Sequence, residues 1–301
     1  MSESAQSHSV LAPVTGDSVT TMHWPREGES VEGDLSGSVY SVGELLGEGH
    51  YGRVWAATDC WGNKLALKVF RPERGTFAEV QQSALREISN LLVLRSPFVT
   101  HVYDAFVYRN ACYIVTEQCD HTLADALENN WIGGAPSTIP IARSLLQGIH
   151  YIHSVGMVHK DLHLGNVMAA RVQSDVSSDW ALKFKIADLG ISNLAEKIDP
   201  ANTVLAGSIL PPEMVDPFQF GPVIPMRIDQ YHIGLLLLQV WVGQPLHFSE
   251  EEVLRGEPRM LAERIGGQEG AAIARALRRH TFHRFSDARA MWLALNGFAV
   301  D

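Results

Sequence analysis

The stretch MVHKDLHLGNV, residues Met157–Val167, decides the reading of this chain, together with IADLG at Ile186–Gly190. Apolar residues at either end frame a short polar loop that carries Asp161 and Asn166, and a second turn carries Asp188. Two carboxylates and an amide oxygen on two turns form a donor set on which a magnesium nucleotide could be held. The pair of motifs therefore predicts phosphoryl-transfer chemistry.

Working upstream, GEGHYGRV at Gly47–Val54 places glycines at 47, 49 and 52, where missing side chains let backbone N–H groups approach phosphate oxygens. Taken alone, such a triplet is ordinary hairpin-turn chemistry. The next segment, KLALKV at Lys64–Val69, alternates apolar and polar residues as a half-buried strand does, and Lys68 falls between Leu67 and Val69. A helical period follows in Phe77, Val80, Ala84, Leu85, Ile88, Leu91 and Leu92, with Glu87 and its rival Glu79 as carboxylates able to hold the lysine.

This five-part order resembles the protein kinase superfamily, whose signature set is a GxGxxGxV loop, a VAIK lysine, a helix glutamate, an HRD-to-N catalytic loop and DFG. The resemblance runs from about Val39 to Phe298. It implies an α+β, two-lobed protein-kinase-like fold, with a small antiparallel β lobe at about 37–117 carrying one long helix and a larger, mainly helical lobe at about 120–301. It implies that Gly47, Glu48, Gly49, Gly52 and Val54 cover the nucleotide and that Lys68, fixed by Glu87, contacts the α- and β-phosphates. The backbone of Glu117–Cys119 would meet adenine where the lobes join, and Thr116 would guard the pocket behind it.

By the same resemblance Asp161 is the base that orients the acceptor hydroxyl, Asn166 and Asp188 hold metal, and His159 is structural. The cofactors implied are ATP and Mg2+, with Mn2+ as the alternative ion. The acceptor is a protein Ser or Thr, with a second copy of the chain as a further acceptor in trans.

Four departures matter. Lys160 stands where the family commonly has arginine, so the bidentate contact to a phosphorylated segment is not carried over. His163 stands where Ser/Thr kinases usually have lysine, and HxDLHxxN is similar to aminoglycoside and choline phosphotransferases. A neutral His163 still donates a hydrogen bond to the γ-phosphate while supplying less charge, and it joins Asp161 and Lys68 among the candidate catalytic residues. Leu189 replaces the phenylalanine of DFG, yet IADLGIS resembles a protein kinase rather than a small-molecule phosphotransferase. Ala206 stands at the family's threonine position before the closing glutamate. Two other readings follow from these departures: a pseudokinase or nucleotide-binding scaffold, and a small-molecule phosphotransferase.

Downstream, PPE at Pro211–Glu213 resembles the motif that closes a kinase activation segment, and Ser192, Thr203 and Ser208 are hydroxyls available for phosphorylation within it. DQYHIG at Asp229–Gly234 resembles the large-lobe core helix, and Arg284 sits where an arginine would pair with Glu213.

The 301 residues, 46% of them hydrophobic, suffice for one or two domains. A formal net charge of −10 with no basic run excludes the counterion-driven binding of nucleic acid and a basic membrane patch. Cys60, Cys112 and Cys119 have neither CxxC nor metal-ligand spacing, which predicts a reducing compartment. The longest apolar run, Ile233–Val242, is too short to span a bilayer, and the amino terminus shows no charged region leading into an apolar core. A cytoplasmic location is expected. The thirteen histidines show no HExxH or paired short spacing, so no structural metal is assigned.

Residues 1–36 are rich in Ser, Thr, Gly, Glu and Asp and keep no period, which predicts a disordered tail; Trp24 and Pro25 are the pair within it suited to docking. Strands are expected at Val39–Leu46, Arg53–Thr58, Leu65–Phe70, in VYDAFVYR and ACYIVTE, and at Val167–Ala170 and Ala181–Ile186. Helices are expected at Thr122–Glu128, Pro140–Val155, Ile228–Val242, Glu250–Leu254, Ala271–Arg279 and Ser286–Leu295.

Overall fold

Strand β4 (Lys64–Phe70) shows how the sequence pattern becomes a sheet face. Leu65, Leu67 and Val69 point into a core where Leu67 and Val69 are fully buried, while Ala66 and Lys68 lie on the opposite face. Lys68 is the direct antiparallel partner of Val54, so the two share that second face. The computed structural model describes residues 24–33, 37–49, 52–70, 94–109, 111–173, 180–189 and 209–298. Among them, residues 24–70 and 103–115 make one compact unit, and 94–102 with 116–298 make another.

The first unit is built on a six-stranded sheet in the order β1-β2-β3-β4-β6-β5, where β1 is Ser30–Glu32, β2 Val39–Gly49, β3 Gly52–Thr58, β5 Val102–Tyr108 and β6 Ala111–Glu117. The β2–β3 hairpin carries the glycine-rich motif. Gly47 opposes Val54, Glu48 opposes Arg53 and Gly49 opposes Gly52, with register shifts between Val42 and Gly47 that twist the ribbon. Stacked aromatics fill the core beneath, Phe106 lying 5.8 Å from Tyr40 and 5.2 Å from Tyr113 between ring centroids.

Composition predicts a disordered tail over 1–36; across 24–33 the structure instead has an added edge strand. β1 pairs antiparallel with β2 through Ser30–Ser41, Val31–Tyr40 and Glu32–Val39, and Val31 is fully buried. The physical reason is that one apolar residue in a polar segment suffices when a neighbouring strand supplies the ladder and the pocket. Residues 1–23 and 34–36 lie outside the described residues, as do the 77–92 helix with Glu79 and Glu87, Gly190, Ser192, Thr203, Ala206 and Ser208.

The second unit is mainly helical. In chain order its helices are α1 (Leu123–Glu128), α2 (Gly134–Ser154), α3 (Pro212–Val215), α4 (Pro217–Phe220), α5 (Pro225–Val242), α6 (Glu250–Arg255), α7 (Glu257–Glu263), α8 (Gly267–Ala276) and α9 (Ala288–Leu295). A three-stranded sheet, β7 (His121–Thr122), β8 (Val167–Gln173) and β9 (Trp180–Ile186), lies in the same unit in the order β7-β8-β9. Thr122 caps α1 in a full capping box with Asp125. Helix α5 is buried at every position from Ile228 to Val240, as expected of a helix at the centre of a core.

Helix α2 begins at Gly134, a turn and a half before the expected Pro140, and runs through that proline. Gly148 lets α2 lie close to the end of β9. A Cβ there would fall 2.9 Å from Ile186 Cδ1 and 2.9 Å from the Phe98 carbonyl oxygen, so any side chain would push back the strand that leads to Asp188. Among the described residues, no helix is long and apolar enough to cross a membrane.

Candidate active site

Asp229 organises the loop that the opening motif foretells. It enters from the buried helix α5, is itself fully buried, and accepts the backbone N–H groups of His159 (3.0 Å) and Lys160 (2.6 Å) as well as His153 Nε2 (2.7 Å). Burial pushes its carboxyl pKa up, but the His153 hydrogen bond, the nearby imidazoles and the His159 amide outweigh this and hold it below the usual carboxylate value. The carboxylate thus pins the backbone two residues ahead of Asp161.

The pinned loop is strained at one place. Lys160 has φ +69°, a left-handed conformation, and its side chain turns inward with Nζ buried and without a hydrogen-bond partner. Burial lowers its pKa, partly opposed by Asp229. His159 donates from Nε2 to the Ala187 carbonyl (2.8 Å) and accepts the Asp161 N–H at Nδ1 (3.3 Å), so its ring joins the loop to the turn that carries Asp188. Asn166 donates from Nδ2 to the Asp161 carbonyl (2.8 Å), and its own carbonyl accepts the Ala187 N–H (2.8 Å), so Oδ1 is the end of the amide that could ligate a metal. Asp188 is exposed, with φ +57°, and Leu189 beside it is buried.

His163 begins the short 3₁₀ turn Leu164–Asn166 and accepts the Gly165 N–H at Nδ1 (3.1 Å), which leaves the proton on Nε2 when the ring is neutral. Burial lowers its pKa and His159 adds to this, while the carboxylates of Asp161 and Asp188 work the other way. The net effect is a neutral imidazole near pH 7 in the field of both candidate carboxylates. Gly165 is needed here, since a Cβ would lie 3.0 Å from His163 Cε1.

The structure therefore brings Asp161, His163, Asn166 and Asp188 together on two turns of one unit. Among the described residues no three His, Cys, Asp or Glu side chains form a self-sufficient metal cage. Two carboxylates and one amide oxygen instead suit a hard divalent ion that keeps water and phosphate oxygens as its other ligands.

Gly47, Glu48, Gly49, Gly52, Val54 and Lys68 belong to the β2–β3–β4 ribbon of the other unit. Thr116 and Glu117 end β6, where the Glu117 carboxylate is taken up by Lys185 Nζ (2.5 Å) and the His101 N–H (2.7 Å), and the Glu117 N–H donates to the His101 carbonyl (3.0 Å). Burial, and then the Glu117 charge, pushes the Cys119 thiol up to about 12, so it is a protonated, unreactive side chain.

Two anchoring contacts escape motif reading, which places Asp229 on the core helix but not its bonds to His153 and the loop, and which misses the Glu117–Lys185 pair. The signal for the first is an acid within the otherwise apolar IDQYHIGLLLL, since a buried carboxylate is retained only where donors meet it. Asp229→Asn is expected to cost about 1–3 kcal/mol for each loop amide left unsatisfied. Hydrogen exchange at His159 and Lys160 would accelerate with it, and unchanged exchange there would contradict the anchoring role.

At the far end of the same unit, Glu213 and Arg284 are both fully buried and meet through two parallel contacts of 2.6 Å. His232 Nε2 donates to the Ile209 carbonyl (3.2 Å), and burial brings its pKa down to about 4, so it stays neutral.

With this geometry in hand, comparison with known sequences gives the class. The protein kinase domain matches residues 40–268, and the chain belongs to that family. It is 34% identical over 225 residues to cell division control protein 2 homolog 3 of Trypanosoma brucei brucei, an alignment covering 71% of this chain and 66% of that protein. It is 30% identical over 210 residues to NUAK family SNF1-like kinase 1 of Homo sapiens, covering 68% of this chain and 30% of that protein. Serine/threonine-protein kinase 33 of Mus musculus is 25% identical over 219 residues, covering 71% and 44%. The chain thus spans from under a third to about two thirds of the length of these relatives. The resemblance to Ser/Thr protein kinases and the α+β fold, with an antiparallel sheet in the amino-terminal part and helices in the carboxy-terminal part, agree with the sequence reading.

Proposed function

We propose that this chain is a protein-serine/threonine kinase that transfers the γ-phosphate of Mg-ATP to protein hydroxyls. The observation that carries the reading is the loop in which Asp161 and Asn166 are tied to each other, to the Asp188 turn through His159, and to the core through Asp229. Family membership and the names of the relatives support the Ser/Thr assignment.

In this reading the Asp161 carboxylate accepts a hydrogen bond from the acceptor hydroxyl, orients its oxygen and takes its proton as transfer proceeds. Asp188 and the Asn166 amide oxygen hold Mg2+, or Mn2+ in its place, whose chemistry is to neutralise phosphate charge. His163 donates from Nε2 toward the γ-phosphate, doing with a neutral hydrogen bond what a lysine would do with a full charge. Lys68, fixed by Glu87, is assigned to the α- and β-phosphates, and Gly47, Glu48, Gly49, Gly52 and Val54 to covering them. The backbone of Glu117–Cys119 is assigned to adenine, and Thr116 to the pocket behind it. The 37–301 span is the proposed domain, with a protein acceptor as partner and a cytoplasmic site of action.

The neutral His163 favours one rival, a phosphotransferase acting on small hydroxyl compounds. Incubation with γ-labelled ATP, magnesium and a generic protein acceptor, followed by acid hydrolysis, separates the two. Label recovered as phosphoserine or phosphothreonine is the expected result. Label only on aminoglycoside or choline acceptors supplied in parallel would overturn it.

A further inference from the structure

Residues 24–33 lie ahead of the matched family span and are built onto the glycine-rich hairpin. The Trp24 ring is half-buried, its centroid 5.8 Å from that of Trp55 on β3, and the Arg53 guanidinium lies over it at 4.6 Å. Arg53 is the cross-strand partner of Glu48, and its Nε is 3.0 Å from Glu48 Oε1. Trp24 therefore covers a cation that pairs with the acid between the glycines of the GEG turn.

The segment is held firmly enough to act as a brace. Val31 is fully buried, Gly28 N–H and Val42 carbonyl meet at 2.8 Å, the Val42 N–H returns a bond of 2.8 Å to Glu29, and the Glu29 carboxylate is 2.8 Å from Arg109. Four attachments of three kinds make a segment ordered by tertiary contact rather than by its own propensity. A cation over an indole face is restrained in two directions, by the ring below and by the carboxylate beside it.

We propose that Trp24 is a positioning residue for nucleotide binding, acting through Arg53 and Glu48 to hold the β2–β3 hairpin in its phosphate-covering conformation. This rests on the kinase reading given above. A hairpin already ordered loses less conformational freedom when it closes on phosphate, so the brace acts on affinity rather than on the transfer step.

The test uses the full chain with Trp24→Leu, which keeps apolar volume but loses the π face, Trp24→Phe, which keeps a ring, and Arg53→Gln. Calorimetry with Mg-ATP and steady-state kinetics are read together. Trp24→Leu is expected to raise Kd and KM for ATP about two- to fivefold with kcat unchanged, the factor that a half-exposed cation–π contact corresponds to. Trp24→Phe is expected to restore most of it, and Trp24→Leu to add nothing in the Arg53→Gln background. Unchanged ATP affinity in Trp24→Leu, or an equal loss with Arg53 already removed, would overturn the proposal while leaving the kinase reading intact. Should Trp24→Leu fail to fold, Arg53→Gln carries the test alone, with the same weakening expected and unchanged affinity overturning it. An unsubstituted chain that binds no Mg-ATP would overturn the kinase reading itself and this proposal with it.

Discussion

Arg284→Ala is expected to destabilise the helical unit by about 3–5 kcal/mol, the cost of leaving a buried carboxylate without its cation. The side chain it removes is completely enclosed and fully committed. Besides the two contacts to Glu213, the guanidinium reaches the carbonyl oxygens of Arg278 (2.8 Å) and Arg227 (3.0 Å) and lies 4.8 Å over the Tyr231 ring. Alanine strands Glu213 and removes these contacts. Arg284→Lys keeps the charge but not the planar fork and is expected to fall between. The paired replacement Arg284→Met with Glu213→Leu is expected to cost less than Arg284→Ala, because no charge is left behind in the core. Urea denaturation of the four proteins checks the order. A double replacement less stable than Arg284→Ala would show that the ion pair, rather than its desolvation, dominates.

The ladder of β2, β3 and β4 was legible because alternation of apolar and polar residues is a local property: Leu67 and Val69 are buried on one face and Lys68 lies half-buried on the other, as that pattern requires. The Met157–Val167 loop was legible because its residue types and their order are restrictive. Neither route reaches β1: Ser-Val-Glu has a single apolar residue, and the pairing that orders it comes from Val39–Ser41 and from Trp24 against Trp55. The helix expected from Pro140 starts earlier, at Gly134. The helix begins at a positive-φ glycine pair, Gly133 as its cap and Gly134 as its first residue, and buries Thr138 and Ile141, which outweighs the lost N–H of Pro140. Helix α7 follows α6 after only Gly256 and escaped notice because one glycine, with φ +83°, both ends one helix and begins the next.

The site divides in the same way. Asp161, Asn166, His163 and Asp188 are visible as a string of letters, and the structure adds what holds them. Asp229 lies on another helix far along the chain, so its role depends on a fold that brings α5 beneath the loop. The tautomer of His163 depends on the Gly165 N–H, a backbone group that no side-chain motif records.

The central claim is that Asp161 acts as the base in phosphate transfer. Asp161→Asn tests it because two hydrogen bonds of the residue within the loop run through its backbone. The residue's N–H bonds to His159 Nδ1 and its carbonyl accepts from Asn166 Nδ2, both unaffected by the change of carboxylate to amide. The structure is therefore expected to persist and the proton acceptor to be lost, lowering the transfer rate by about 10²–10⁴-fold. Asp188→Asn removes the exposed carboxylate assigned to the metal and serves as the second arm. The measurement is time-resolved transfer of label from γ-labelled Mg-ATP to protein by the unsubstituted chain, Asp161→Asn and Asp188→Asn, with melting temperatures recorded beside it. The account predicts sustained Ser/Thr labelling by the unsubstituted chain, and its loss in both variants with Asp161→Asn still folded. Labelling that survives Asp161→Asn at the original rate, or no labelling by the unsubstituted chain while nucleotide still raises its melting temperature, would contradict it.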